Sequence, residues 1–173
     1  MFFANTLSQI DVVPVSSILL PEETPLVLEI IWRERQIPLA RGGNIRGFFP
    51  YRGGAVPFES LVERDILAGL AAIPQVNRIT SQPFTIHYLC DGVVRKYTPD
   101  FMVEFHHVPD WLAERGFDRT SLIEGKPMQR VPEHELQLGR SYRAVRSVMS
   151  TPLLVVTDSD LTVVPWGGDR NDD

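Results

Sequence analysis

The chain of 173 residues suits one domain with a sizeable core, and its contents of 43% hydrophobic and 23% charged residues exclude a disordered chain. Its net charge of −5 argues against a protein that grips nucleic acid strongly by itself, because counterion release favours basic surfaces. The single cysteine excludes an internal disulfide, residues 1–20 lack the basic start of a secretory signal, and no stretch approaches the roughly 20 apolar residues of a membrane-spanning helix, so we expect a cytoplasmic protein.

The first 40 residues are predicted to form an N-terminal extension, in which the segment 24–32 fits either a strand or a short helix. Residues 33–54 change character, because arginines are spread there among glycines and aromatic residues. The glycines predict a loop, and arginines between aromatics are typical of a loop that clasps a nucleic-acid strand, although a solvated connection fits as well. Arg41, Arg46 and Arg52 are our candidate DNA contacts in this loop.

An amphipathic helix is predicted from Phe58 to Ala72, and Pro74 marks its end. At about 100° per residue, one stripe of this helix is apolar. It consists of Phe58, Val62, Ile66, Leu70 and Ile73.

Two acids, Glu59 and Glu63, lie inside or at the border of that stripe. Carboxylates on a core-facing stripe are costly unless they pair, accept hydrogen bonds or bind a metal. Glu59 also fits a first-turn acid that complements the helix dipole, and Ser60 with Glu63 matches a capping box. We favour a functional role for Glu63, because the apolar period already begins upstream of Ser60.

Strands are predicted over residues 82–105. Phe84, Ile86 and either Tyr88 or Leu89 alternate, Asp91-Gly92 is typical of a hairpin turn, and a return strand is predicted from Val93 to Val103. This prediction places Asp100 partway along the return strand. The alternative is a turn residue after Pro99, which we disfavour because an apolar strand pattern follows at once.

After an excursion over residues 109–120, the segment Ser121–Lys126 is predicted to return to the sheet. Side chains alternate along a strand, so Glu124 and Lys126 project from one face while Gly125 leaves the other face bare. Asp100 and Glu124 supply oxygen ligands of the kind that Mg²⁺ prefers, and Lys126 could hold a water or a developing oxyanion. The chain has fifteen arginines but only two lysines, which makes a lysine in an apolar strand notable.

A second helix is predicted from Pro132 to Met149, followed by a buried strand at Leu153–Thr157 and a loose tail over residues 166–173. The helix is predicted to bury Leu136, Tyr142, Val145 and Met149. Beside that face runs a ridge of arginines spaced by three, which suits backbone phosphates, although an exposed helix face explains it equally. From this ridge, which consists of Arg140, Arg143 and Arg146, we select Arg140 and Arg143 as candidate DNA contacts.

Together these elements resemble the PD-(D/E)xK nuclease superfamily, with Pro99-Asp100 as the first half of its motif and Glu124-Gly125-Lys126 as the second. The surrounding sequence resembles one branch, the TnsA endonucleases of cut-and-paste bacterial transposons, over roughly residues 41–157. The matching stretches are Ile45-Arg46-Gly47-Phe48-Phe49-Pro50, Phe58-Glu59-Ser60-Leu61-Val62-Glu63-Arg64-Asp65, Ser81-Gln82-Pro83, Tyr97-Thr98-Pro99-Asp100-Phe101 and Ile123-Glu124-Gly125-Lys126-Pro127.

The resemblance implies an α/β fold with a mixed sheet and a restriction-endonuclease-like αβββαβ core. Its domain would span residues 41–165, between the extension of residues 1–40 and the tail. It also implies an endonuclease that uses Mg²⁺, or alternatively Mn²⁺, and cleaves one strand of double-stranded DNA at each transposon end. Expected partners are a DDE transposase (TnsB-like) and an AAA+ regulator (TnsC-like).

The same resemblance assigns catalytic roles to Glu63, Asp100, Glu124 and Lys126. The three acids would bind the metal, with Asp100 as the bridging ligand, and Lys126 would orient or activate the attacking water. Longer family members carry a further C-terminal domain that contacts the transposase and its regulator, whereas this sequence stops soon after the last core strand. Two alternatives remain: a stand-alone nuclease of this fold in phage DNA processing, restriction or repair, and a non-catalytic DNA-binding assembly subunit.

Overall fold

A computed structural model describes residues 21, 23–33 and 45–157 of the chain. The predicted mixed α/β fold is confirmed. The described strands are β1 (Leu26–Ile31), β2 (Gly47–Tyr51), β3 (Gly54–Phe58), β4 (Val76–Ser81), β5 (Thr85–Cys90), β6 (Val93–Tyr97), β7 (Phe101–Phe105), β8 (Thr120–Lys126) and β9 (Leu153–Thr157). The described helices are α1 (Leu61–Ala71), α2 (Asp110–Ala113) and α3 (Val131–Val148), and a 3₁₀ turn at Met128–Arg130 leads into α3. None of these helices is long and apolar enough to cross a membrane.

The described strands form three sheets. The main sheet has the order β4-β7-β8-β9, in which only the β8–β9 pair is parallel. A second sheet has the order β1-β5-β6, and β2 pairs with β3 as a separate hairpin. From α1 onward, the elements that build or flank the main sheet follow one another in the chain in the order α1, β4, β7, β8, α3, β9. Strands β5 and β6 come between β4 and β7 but belong to the second sheet. The short helix α2 lies between β7 and β8.

Helix α1 packs on one face of the main sheet through Val62, Ile66 and Leu70. The other members of the predicted stripe, Phe58 at the end of β3 and Ile73 after the helix, are buried in the same core cluster. Closest approach occurs at Gly125 of β8, where an added Cβ would lie 2.8 Å from Ile66 Cδ1 and 3.5 Å from Val62 Cγ1. Helix α1 therefore occupies the space at Gly125 that the sequence analysis predicts to be free of a side chain. The opposite face of the sheet packs on α3, with Leu122 and Leu153 meeting Ala144 and Val145 in a second core cluster.

The predicted return strand from Val93 to Val103 is wrong, because the chain changes sheets within it. Strand β6 ends at Tyr97 and pairs with β5, whereas β7 begins at Phe101 and pairs with β4 and β8. Pro99 lies in the gap, where its missing N–H and fixed φ do not suit a continuous ladder. Asp100 consequently precedes β7 instead of lying within a strand, which is nearer to the alternative of a residue in a turn.

Two further elements differ from the sequence predictions. The first strand of the main sheet is β4, which the sequence analysis left unassigned, whereas the predicted strand around Phe84 and Ile86 became β5 of the second sheet. Residues 47–58, predicted as loop and helix start, form the β2–β3 hairpin, so that Phe58 ends a strand and α1 begins only at Leu61. Aromatic and apolar residues that alternate in burial along this hairpin explain why strand pairing prevails over the glycines.

The remaining predictions concern the segment 24–32, the last strand and helix α3. The segment 24–32 is the strand β1, which pairs with β5, and Leu153–Thr157 is a buried strand as predicted. Helix α3 lies within one residue of its predicted bounds, yet Leu136 is 38% exposed and Leu138 is buried in its place. Residues 1–20, Arg41 and the predicted tail 166–173 lie outside the described residues.

We expect Gly125→Ala to lower the free energy of unfolding by about 1–3 kcal/mol, because the new methyl group would overpack the contact with Ile66. Urea denaturation measures this change. Adding Ile66→Val removes the atom in closest contact, so the double variant should be more stable than the sum of the two single effects predicts. Strict additivity would show that α1 does not meet β8 at this glycine.

Candidate active site

Asp100 lies just before β7, between strand β8 and the end of strand β4 of the main sheet. Its backbone N–H donates to the carbonyl of Ile123 (3.0 Å), and its carbonyl accepts from the N–H of Gln82 (2.9 Å). Its side-chain Oδ2 accepts the N–H of Gly125 at 2.7 Å. Three backbone contacts therefore fix both the position and the direction of this carboxylate.

Glu124 and Lys126 project from the same face of β8, as alternation predicts, and they are joined directly. Lys126 Nζ donates to Glu124 Oε1 at 2.6 Å, and the Tyr97 hydroxyl donates to Glu124 Oε2 at 2.9 Å. Burial raises the pKa of the Tyr97 hydroxyl well above its ordinary value, and the nearby charges of Glu124 and Asp100 raise it further. Tyr97 is thus a permanent donor to Glu124.

Lys126 keeps its proton although most of its side chain is buried. Burial alone would lower its pKa, but the carboxylates of Glu124 and Asp100 outweigh burial and raise the pKa above the ordinary value. The side chain is 26% exposed and therefore reaches solvent. Lys126 is accordingly an ammonium group with an open side.

Glu63 lies in the first turn of α1 and forms a capping box, the interpretation that the sequence analysis had disfavoured. Ser60 is the N-cap residue, and its Oγ accepts the N–H of Glu63 at 3.1 Å. In return, Glu63 Oε2 accepts the N–H of Glu59 at 2.7 Å, and Glu63 Oε1 accepts from the Ser60 hydroxyl at 3.2 Å. The apolar period did not exclude the cap, because Phe58 belongs to a strand and not to the helix.

Burial also disfavours the charges of Glu63 and Asp100. Burial raises the pKa of Glu63, an effect that the Glu59 amide and Ser60 hydroxyl oppose and that the charges of Glu59 and Glu124 reinforce. The pKa of Asp100 lies well above its ordinary value, first because of burial and then because of the negative charges of Glu124 and Glu63. The acids and Lys126 therefore lie within electrostatic reach of one another.

The donor chemistry of this group fits Mg²⁺, which prefers carboxylate oxygens and is favoured where several acids repel one another. In this structure, however, both oxygens of Glu63 and both of Glu124 accept hydrogen bonds from the protein. Among the residues that the structure describes, no three Asp, Glu, His or Cys side chains stand together as metal ligands. Because each carboxylate oxygen has a second lone pair, a cation would either share Glu63 and Glu124 with these donors or displace Lys126 from Glu124.

A cavity of about 560 Å³ opens beside the group, between the start of α1, the end of β8 and the start of α3. Glu63 and Lys126 line it, and so do two groups that the sequence analysis did not select, Arg130 and His134. These two are four residues apart at the start of α3, a spacing that places them on one helix face and that could have indicated them. Glu59 lines it too, so the cavity combines two acids with several basic groups.

Two further residues escaped sequence reasoning, although both lie in stretches that carried the resemblance. No sequence pattern indicated a role for Tyr97, because its hydrogen-bond partner Glu124 lies 27 residues away in the sequence. Gln82 donates its side-chain amide to Glu59 Oε2 (2.9 Å) and its backbone N–H to Asp100, and it does so at a φ of +45°. A buried non-glycine residue at positive φ is uncommon, and such strain concentrates at functional sites.

Of the arginines selected for DNA contact, the four that the structure describes are not gathered on one surface. Arg46 lies near the cavity, where its Nη2 is 3.4 Å from Glu59 Oε1. Arg52 follows the other end of β2 and donates to the carbonyls of Val76 and Asn77 in β4. In α3, Arg140 pairs with Asp91 at 2.6 Å in the β5–β6 turn, and the neighbouring Arg143 is half-buried.

A scan against protein-family models found no match for this chain, and a search of curated proteins found no match either.

We expect Asp100→Asn to raise the free energy of unfolding near neutral pH by on the order of 1 kcal/mol. Because its folded pKa is raised, Asp100 binds more protons in the folded state, and wild-type stability should fall as the pH rises from about 4 towards that raised pKa. Urea denaturation in EDTA between pH 4 and 8 would measure this slope, which the variant should flatten.

The matched control is Glu114→Gln, which neutralises an exposed acid at the end of α2. It should leave both the slope and the stability near those of the wild type. A loss of stability in Asp100→Asn at neutral pH would contradict the repulsion described above.

Proposed function

We propose that this protein is a metal-dependent endonuclease that hydrolyses phosphodiester bonds in DNA. The observation that carries the proposal is the convergence of Asp100, Glu124 and Lys126, with Glu63 in electrostatic range, beside an open cavity. A buried ion pair alone needs two groups of opposite charge. Three acids with one lysine leave surplus negative charge, which suits a bound cation better than a purely structural role.

In this proposal Asp100 and Glu124, with Glu63 as the third acid, would bind Mg²⁺ or Mn²⁺. The bound metal would offset negative charge on the attacking and leaving oxygens of the phosphodiester. Residues of the protein itself would position these acids. Gly125 N–H fixes the carboxylate of Asp100, and Tyr97 fixes that of Glu124, so that these acids are oriented before any ligand arrives.

Lys126 would hold the attacking water and stabilise the charge that develops on the phosphate. Its raised pKa makes it a donor and not a general base at neutral pH, so its contribution would be electrostatic and positional. Its Nζ contacts Glu124 at 2.6 Å while the side chain is 26% exposed, so the ammonium would contact Glu124 and a substrate oxygen from the same position. Lys126 also lines the cavity, where a DNA strand would enter.

We further propose that partners deliver the DNA, as expected of a TnsA-like enzyme that works with a DDE transposase and an AAA+ regulator at transposon ends. A net charge of −5 provides little general attraction for DNA. Arg52 and Arg140 are engaged in contacts within the chain, which reduces the basic surface further. These features predict a weak intrinsic affinity for DNA, which would suit a protein that is recruited to its substrate by partners.

We expect the wild-type protein to nick supercoiled plasmid DNA in the presence of Mg²⁺, and Lys126→Ala to lose activity by about a hundredfold or more, as when a single charge-stabilising donor is removed. Product formation on agarose gels measures the rate. The matched control is Lys96→Ala, because Lys96 is the only other lysine of the chain and lies exposed on β6. That variant should cleave like the wild type.

Equal cleavage by wild type and Lys126→Ala would refute the catalytic proposal. If the isolated protein cleaves nothing, the assay should be repeated with the transposase and regulator present, and cleavage that then depends on Lys126 would support the transposon-end role. Cleavage by the isolated protein that the transposase and regulator do not increase would instead favour a stand-alone nuclease of the same fold.

Binding of Mg²⁺ should raise the thermal unfolding midpoint of the wild type, because a ligand that binds only the folded state stabilises it by roughly 1–3 kcal/mol at 10–100 times its Kd. Asp100→Asn should lose most of this response, since it removes the central acid. Differential scanning calorimetry with and without Mg²⁺ measures the effect for each protein. A shift of the same size in both proteins would place the ion elsewhere.

A further inference from the structure

The second sheet has a face that projects away from the rest of the described fold, which we call the outer face. Cross-strand register defines two rows that run from β1 across β5 to β6, and a third row runs from β1 across β5 to Thr98, which follows β6 and is hydrogen-bonded to Thr85. The rows are Leu26-Leu89-Val94, Glu29-His87-Lys96 and Ile31-Thr85-Thr98. The opposite face carries Ile86 and Tyr88, which are buried in the core cluster shared with α3.

Large apolar side chains on the outer face are exposed to an unusual degree. Leu26 is 60% exposed, Val94 is 63% exposed, and Ile31 is 39% exposed. At the border of the sheet, Leu28 and Trp32 are 52% and 62% exposed. Leu26 and Val94 belong to one apolar row, and Ile31 lies beyond the charged middle row. Large apolar side chains exposed together on one sheet face are typical of an interaction surface.

The charges of the middle row make this face complementary to itself. Glu29 on β1 carries a negative charge at one edge, and Lys96 on β6 carries a positive charge at the other edge. Within the described residues Lys96 has no acidic partner, while Glu29 lies 3.3 Å from His87 Nδ1. The apolar row beside them is symmetric in character, with an aliphatic side chain on each of its strands.

Two orientations of a two-fold axis would bring the outer faces of two copies together. An axis parallel to β5 would place β1 of one copy over β6 of the other, so that Glu29 faces the Lys96 of its partner and Leu26 faces Val94. An axis perpendicular to the strands would place Glu29 over Glu29 and Lys96 over Lys96, which is repulsive. The charges therefore select the first axis.

We propose that the outer face is a homodimer interface in which two copies pack sheet on sheet about an axis parallel to β5. Stacked sheets lie about 10 Å apart and cross at about 30°, which keeps the facing rows in contact. The face is only three strands wide, so the dimer forms at micromolar concentration and dissociates on dilution. This inference is independent of the nuclease proposal.

The test is a charge exchange followed by sedimentation velocity across a range of concentrations. Glu29→Lys would place two lysines at each contact, and Lys96→Glu would place two acids there, so each single variant should weaken dimerisation by about tenfold or more. The double variant Glu29→Lys/Lys96→Glu restores opposite charges and should recover dimerisation. Glu114→Lys, the same change on an exposed residue outside the face, is the control and should dimerise like the wild type.

Circular dichroism should show that all four variants fold, because the substituted side chains are exposed. A wild-type protein that stays monomeric at high micromolar concentration would overturn the proposal and indicate another occupant of the face. A dimer that resists both single exchanges would overturn it as well, since its interface would then lie elsewhere. Failure of the double variant to recover would refute the selected axis.

Discussion

The hydrogen bond from the Gly125 N–H to Asp100 Oδ2 is the contact on which the rest of the candidate site depends. It joins the point where the chain changes sheets to the strand that carries Glu124 and Lys126. The same glycine admits α1 to within van der Waals contact of the sheet, and the first turn of that helix carries Glu63. One residue without a side chain thus sets the distance between the acids of three different elements.

This arrangement places acids where their charges are costly. Burial and mutual repulsion raise the pKa values of Asp100 and Glu63, and the structure compensates with a lysine, a tyrosine and backbone donors. A fold selected for stability alone would replace such a group with apolar residues of similar volume. The proposed metal-dependent function would account for this costly group and for the strained backbone of Gln82, because strain and shifted pKa values concentrate at functional sites.

Sequence reasoning succeeded where a local pattern determines the structure. The stripe from Phe58 to Ile73, the Asp91-Gly92 turn and the alternation around Gly125 each depend on neighbours in the chain, and each was predicted. It failed where a strand pairs with a strand that is distant in the sequence. The hydrophobic pattern of Val93–Val103 does not indicate that its two halves pair with different strands. Only Pro99 indicates that the strand is interrupted.

The candidate site divides in the same way. The motif halves identified Asp100, Glu124 and Lys126, because their spacing is a property of one strand and one turn. Tyr97 and Gln82 could not be assigned, since each acts through a partner more than 20 residues away. The cap formed by Glu63 was visible in sequence but was set aside, because the start of the helix had been placed three residues too early.

The β2–β3 hairpin has a consequence for how this protein behaves at high concentration. β4 is an edge strand of the main sheet, and such a strand can recruit strands from other molecules. The hairpin tip prevents this at one end of β4, since the Tyr51 hydroxyl and the Arg52 guanidinium occupy the carbonyl of Val76. Arg52 also donates to the carbonyl of Asn77, so one planar guanidinium occupies two consecutive carbonyls at this end of β4 and hinders the addition of a further strand there.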